Sequence, residues 1–226
     1  MTFHITRRAI PAAALALASL AAGAQDTFPS KPIRLVVPFT PGGVTDSSGR
    51  LIADFLGRRL GQQVIVDNKP GASGNIGTAQ VVQAAPDGYT LLLAFDGTMV
   101  INPHVFAKVP FDTMRDFASV GRIGTATLVL AANPELPART LGEVLALSKS
   151  RPGGLAYGTS GIGGTPHIAG EQLAQRSGAK LEHVPYKGGG QAIADTIGGS
   201  IPLVYTAVAG AQGHVKAGKL KAIAVS

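Results

Sequence analysis

One pattern occurs twice in this chain of 226 residues, and it restricts what the chain can fold into. The run Val36-Val37-Pro38-Phe39 passes through Thr40-Pro41 into the pair Gly42-Gly43, and residues 45–60 then read as a helix. Further on, Leu155-Ala156-Tyr157-Gly158-Thr159-Ser160-Gly161-Ile162 runs into Gly163-Gly164, followed by a helix from Thr165 to about Arg176. In both copies another glycine, Gly49 or Gly170, falls six residues after the second member of the pair. Each helix ends near a glycine, Gly61 or Gly178, and leads to a strand closed by a lysine and glycines: Lys69-Pro70-Gly71 and Lys187-Gly188-Gly189-Gly190. Two similar α/β lobes are predicted, each presenting a helix N-terminus. Such an end carries unpaired N–H groups and a partial positive charge, so two of them facing each other would clamp a small acid.

The rest of the chain alternates in the same way. Strands are expected at 33–37, 64–66, 90–95 and 126–131. In the first helix Leu51, Ile52, Phe55, Leu56 and Leu60 fall on one face and define the expected buried side. A second helix runs through Val81, Val82 and Ala85 to Pro86-Asp87-Gly88, another covers 141–150, and 111–117 reads as a short helix or turn. Alternating strands and helices argue for parallel sheets with crossover helices, which bind ligands outside the carboxyl ends of their strands. The loops 40–43, 70–74, 96–98, 159–164 and 188–190 all belong to that edge. Tight turning alone would explain one such loop, less readily the whole set.

Composition narrows the class. Arg7 and Arg8 precede an Ala- and Leu-rich run from Ile10 to Ala22, and Ala22-Gly23-Ala24 suits cleavage, so residues 1–24 read as a secretory signal with the mature chain starting at Gln25. The apolar run is short for a membrane span, and no direct membrane insertion is expected after signal removal. There is no cysteine, so an exported chain of this kind relies on its core instead of disulfides. Loss of Arg7 and Arg8 lowers the formal charge from +7 to +5, and the surplus is spread along the chain without basic–aromatic interleaving. Nucleic acid is therefore not an expected partner.

Several chemical motifs fail. The nucleophile elbow G-x-S-x-G is broken by Asn75 after Gly71-Ala72-Ser73-Gly74 and by Ile162 after Gly158-Thr159-Ser160-Gly161. Pro166 stands where a dinucleotide loop needs its last glycine, and no Gly-Lys-Ser/Thr occurs. His104, His167, His183 and His214 show no metal-ligand spacing, and neither metal nor cofactor is expected. His167, in the first turn of the second clamp helix, is a candidate donor to a bound carboxylate or a residue packed on the neighbouring loop. Asp46 reads first as first-turn helix stabilisation, and otherwise as a carboxylate that bonds a loop N–H or meets a ligand ammonium. Thr45 and Thr165 are candidate N-caps, with Pro166 suited to the first helical position.

Read together, several segments resemble the Bug family, the extracytoplasmic solute receptors of tripartite tricarboxylate transporters. The matching stretches are Val36 to Asp46, Val66-Asp67-Asn68-Lys69-Pro70-Gly71-Ala72, Ala84 to Leu91, Gly164-Thr165-Pro166-His167, Val184 to Gly189, and Ala217 to Val225. The resemblance implies an α/β, two-lobed periplasmic binding protein fold of type II-like topology, each lobe a mostly parallel sheet flanked by helices. The lobes would close on a small carboxylate, gripping it largely through backbone groups and ordered water. Phe39, Thr40, Gly42, Gly43 and Asp46 would form one jaw, and Ser160, Gly161, Gly164, Thr165 and His167 the other. Ala72, Ser73, Thr98, Lys187, Gly188 and Thr206 are further cleft candidates. Lobe 1 is expected over 25–125 and lobe 2 over 126–226, with the second hinge crossover at the end.

Members of the family are longer, so the resemblance also implies a truncated chain in which lobe 1 lacks its last elements and leaves an apolar surface and a sheet edge uncovered. The implied function is periplasmic capture of a di- or tricarboxylate, acidic amino acid or aromatic acid, without catalysis, for delivery to membrane transporter subunits. The alternatives are an exported serine hydrolase using Ser73 or Ser160, and a sensor presenting its ligand to a signalling receptor.

Overall fold

The computed structural model describes residues 28–226, so the signal expected over 1–24 lies outside the described residues. β1 (Ile33–Val37), α1 (Val44–Leu60), β2 (Val64–Asn68), α2 (Asn75–Val82) and β3 (Thr90–Leu92) build the first lobe. Its three strands are all parallel, in the order β2-β1-β3, with Ile33 opposite Val64 and Arg34 opposite Thr90. A π-helical turn, Gly97–Ile101, runs into the short α3 (Asn102–Val105).

The second lobe contains β4 (Leu128–Ala132), α4 (Leu141–Ser150), β5 (Leu155–Thr159), α5 (Thr165–Ser177), β6 (Leu181–Pro185), α6 (Gly189–Ile197), β7 (Leu203–Ala207), α7 (Val208–Lys216) and β8 (Lys221–Val225). The strand order is β6-β5-β7-β4-β8. β5 pairs in parallel with β6 and β7, as alternation predicts, but β4 runs antiparallel to both β7 and β8. β4 enters this sheet from the connection 106–127 and not through a crossover helix, so the parallel constraint does not apply to it. Its side chains are buried on both faces: Leu128 and Leu130 pack with Val144, Leu155, Tyr157 and Leu203, while Val129 and Ala131 pack with Ile193, Val204, Ala211 and Leu220. Full burial of such a side chain contributes roughly 2 kcal/mol, so this central strand anchors the lobe.

The first helix packs differently from its apolar pattern. Asp46, Gly49 and Ala53 form its buried stripe, whereas Leu51 is 69% and Phe55 48% exposed. Gly49 explains the shift, because a Cβ there would stand 2.8 Å from Val37 Cγ2. The helix lies close on the sheet through small residues, which turns the large ones outward. Gly170 plays the same part in α5, where a Cβ would fall within the Tyr157 ring. α1 and α5 both end on left-handed glycines, Gly61 (φ 66°) and Gly178 (φ 65°), as their sequences predict.

Candidate functional site

The carboxyl ends of the parallel strands deliver the chain to the N-termini of α1, α2, α5, α6 and α7. Their caps are Gly43, Gly74, Gly164, Gly188 and Ala207, and none makes a side-chain cap hydrogen bond. Thr45 and Thr165, expected as caps, lie inside their helices instead, and Pro166 is second in α5. α4 is the contrast. It follows the antiparallel β4 and so starts at the opposite edge, where Thr140 and Glu143 form a complete capping box. The helix ends at this edge thus leave first-turn N–H groups without side-chain partners, while the helix at the other edge does not.

The two lobes meet across these ends, backbone against backbone. The Thr40 N–H donates to the Lys187 carbonyl at 3.3 Å. A Cβ on Gly43 would stand 3.3 Å from the Gly190 nitrogen, and one on Gly188 would collide with Thr40 Oγ1 and stand 2.8 Å from the Thr40 nitrogen. At the other end of the same face, a Cβ on Gly161 would lie 2.6 Å from Ser73 Oγ, and one on Gly97 2.8 Å from Gly164 Cα. The Thr165 hydroxyl donates to Asp96 Oδ2 at 2.9 Å. The candidate residues therefore fall into two groups: Thr40, Gly42, Gly43, Gly188 and Thr206 at one end, and Ala72, Ser73, Thr98, Ser160, Gly161, Gly164 and Thr165 at the other. Phe39, 4% exposed, stands edge-on to Phe95 with ring centres 5.4 Å apart. Thr40 Oγ1 is buried without a hydrogen-bond partner, and Thr206 Oγ1 would lie 3.3 Å from a Cβ on Gly189. Lys187 contributes its carbonyl, while its side chain is exposed.

Two candidates are engaged inside their own lobes. Asp46 accepts from the Gly42 N–H (3.1 Å), from Arg50 Nε (3.0 Å) and from Asn68 Nδ2 (3.0 Å), and Asn68 also donates to the Phe39 carbonyl. Burial opposes its charge, but the hydrogen bonds from Arg50, Gly42 and Asn68 outweigh that and hold the carboxyl below its ordinary range. It splints the loop. His167 Nδ1 accepts the Gly163 N–H at 3.0 Å and its ring stacks on His183 at 3.9 Å, so the imidazole braces the second loop. Burial lowers its pKa, against the pull of Glu171. For Asp46 these contacts, the Gly42 loop N–H among them, are the structural kind that its first-turn position favours, and for His167 they brace its own loop.

At the cleft candidates Ala72, Ser73 and Thr98, the backbone conformation and the part played by Asn102 escaped sequence reading. Ala72 and Ser73 adopt positive φ (47° and 53°), and this turn is held by Thr98 Oγ1 and Asn102 Nδ2, both donating to the Ser73 carbonyl. Asn102, fully buried, also donates to Asn75 Oδ1 at 2.8 Å. Strain of this kind persists only where its surroundings fix it, as at binding sites. Neither Ser73 nor Ser160 has a histidine as hydrogen-bond partner among the described residues; His183 Nε2 meets Thr159 Oγ1 at 2.7 Å instead. One open recess of about 900 Å³ lies away from this face along Ala53, Gly57 and Val64, and another of about 380 Å³ borders it at Ala72 and Asn75, with Ile76 and Phe106.

Residues 49–226 match the model of a family described as the tripartite tricarboxylate transporter family receptor. A UPF0065 protein of Bordetella pertussis is 40% identical over 99% of this chain and 68% of its own length. BugT of the same organism is 36% identical over 88% of this chain and 62% of BugT. Among solved structures, a protein of R. palustris with adipate superposes with a TM-score of 0.85 at 32% identity, covering 88% of this chain and 66% of that one. MatC from Rhodopseudomonas palustris with bound malate does so with a TM-score of 0.82 at 28% identity, over 88% and 67%. The chain thus spans about two thirds of the length of the proteins it matches.

Proposed function

Because this chain belongs to the tripartite tricarboxylate transporter receptor family, we propose that it captures a small carboxylate in the periplasm, without catalysis, and presents it to membrane transporter subunits. Lobe 1 is assigned to 25–125 and lobe 2 to 126–226. The observation that carries this reading is the convergence of glycine-capped helix N-termini from both lobes, whose first-turn N–H groups have no side-chain caps. Main-chain donors of this kind recognise an anion without needing an arginine. The buried, unpartnered Thr40 hydroxyl supplies a further donor at the same place. Ligand contact with both jaws is available only when the lobes are shut, so binding and closure are one equilibrium. The solved relatives carrying adipate and malate support a carboxylate of that size. Among the described residues no helix is long and apolar enough to cross a membrane.

A thermal-shift screen of the chain from Gln25 onward against small mono-, di- and tricarboxylates tests the reading. A ligand-specific rise in melting temperature is expected, since only native-state binding stabilises in this way. A cooperative transition that no acid moves would contradict it.

A further inference from the structure

The two ends of the interlobe face differ in charge. Beside the end formed by Thr40, Gly43, Gly188 and Thr206, the carboxylate of Asp46 is ion-paired with Arg50 at 3.0 Å. At the other end Asp96, contributed by lobe 1, reaches across to the first turn of α5 in lobe 2. Among the described residues Asp96 has no ion-pair partner. Its two oxygens are oriented separately: Oδ1 accepts its neighbour's N–H, from Gly97, at 2.8 Å, and Oδ2 accepts the Thr165 hydroxyl at 2.9 Å. A Cβ on Gly97 would stand 2.8 Å from Gly164 Cα, so the backbone beside Asp96 lies close against the α5 loop of the other lobe. Each oxygen retains a lone pair for another donor, and the side chain is exposed to an arriving ligand.

Resting on the carboxylate reading above, we infer that Asp96 is a specificity-determining residue. Its carboxylate takes the place of an anion at the N-terminus of α5 and makes the cleft polar end to end. The ligand carboxylate belongs at the Thr40 and Gly188 end, and the far end of the ligand, facing Asp96, carries an ammonium or a neutral donor. A second carboxylate there would face a fixed like charge, and such juxtapositions are unfavourable. Amino acids with a terminal amine are the preferred class over dicarboxylates of equal length.

Calorimetric titration with matched pairs tests this: adipate against 6-aminohexanoate, and succinate against 4-aminobutanoate. The unsubstituted chain should favour the amine-bearing member of a pair by about tenfold or more. Asp96→Asn keeps an acceptor for Thr165 and removes the charge, and should abolish that preference or reverse it. Asp96→Ser serves as a second neutral variant, and thermal unfolding of each variant establishes that it is folded. A wild-type preference for the dicarboxylate, or a ratio unchanged in both folded variants, overturns the inference and leaves carboxylate capture standing. Failure of the wild-type chain to bind any acid, in these pairs or in the wider screen, overturns capture itself and this inference with it.

Discussion

Asp46 is an acid whose charge is held by its own loop. Asp46→Asn should cost about 2 kcal/mol at neutral pH, because it weakens hydrogen bonds to a charged acceptor that is 4% exposed. The folded carboxyl titrates below its ordinary value of 3.8, so its contribution is present above that pH and disappears as pH falls through the lower folded value. Urea unfolding of both chains at pH 7 and near pH 3 should show the gap narrowing in acid. His183 acts in the opposite pH range. Burial first, and the adjacent His167 second, push its pKa down to about 4 from 6.5, against Glu171. The unfolded chain takes up that proton before the folded one does, so stability should decline as pH drops from about 6.5 toward about 4. Melting temperatures recorded across that interval should fall less steeply for His183→Gln. Glycine pairs and Asp46 were legible in sequence because spacing within one loop defines them. Asp96 was legible only as a member of the loop 96–98 and Asn102 not at all, since their partners lie 69 and 27 residues away.

At the scale of elements, the contrast between capped and uncapped helices is what separates structure from binding. Thr140→Ala removes one half of the α4 capping box and should cost about 1 kcal/mol in unfolding while leaving the affinity for acids unchanged. A parallel loss of affinity would mean that the far edge of lobe 2 is coupled to the cleft. Element identity followed from periodicity and glycine punctuation, and α4 was placed at its observed bounds. The burial of α1 did not follow, because the sequence pattern weights Leu51 and Phe55 while the sheet accepts the helix through Gly49 and Ala53. The direction of β4 was likewise hidden: an apolar strand reads the same whichever way it enters a sheet. The β3 strand stops at Leu92, short of the expected Phe95, where the chain turns out to supply Phe95 and Asp96 to the interlobe face.

At the scale of the whole molecule, the two lobes meet with glycine against backbone. Gly188 is the position where this can be separated from folding. Its φ is 175°, extended backbone that any residue adopts, so a side chain there does not strain lobe 2. The collision of that side chain is with Thr40 in the other lobe. Gly142 in α4, at the opposite edge, provides the control, since a Cβ there would meet nothing within 4 Å. The decisive measurement is calorimetric titration of the best carboxylate into wild type, Gly188→Val and Gly142→Ala. Forcing a side chain into a closed interface costs roughly 1–3 kcal/mol, so affinity should drop about tenfold to a hundredfold in Gly188→Val, with little change in Gly142→Ala and in the melting temperature of either unliganded chain. Undiminished affinity in a folded Gly188→Val chain would contradict capture by closure of these two lobes.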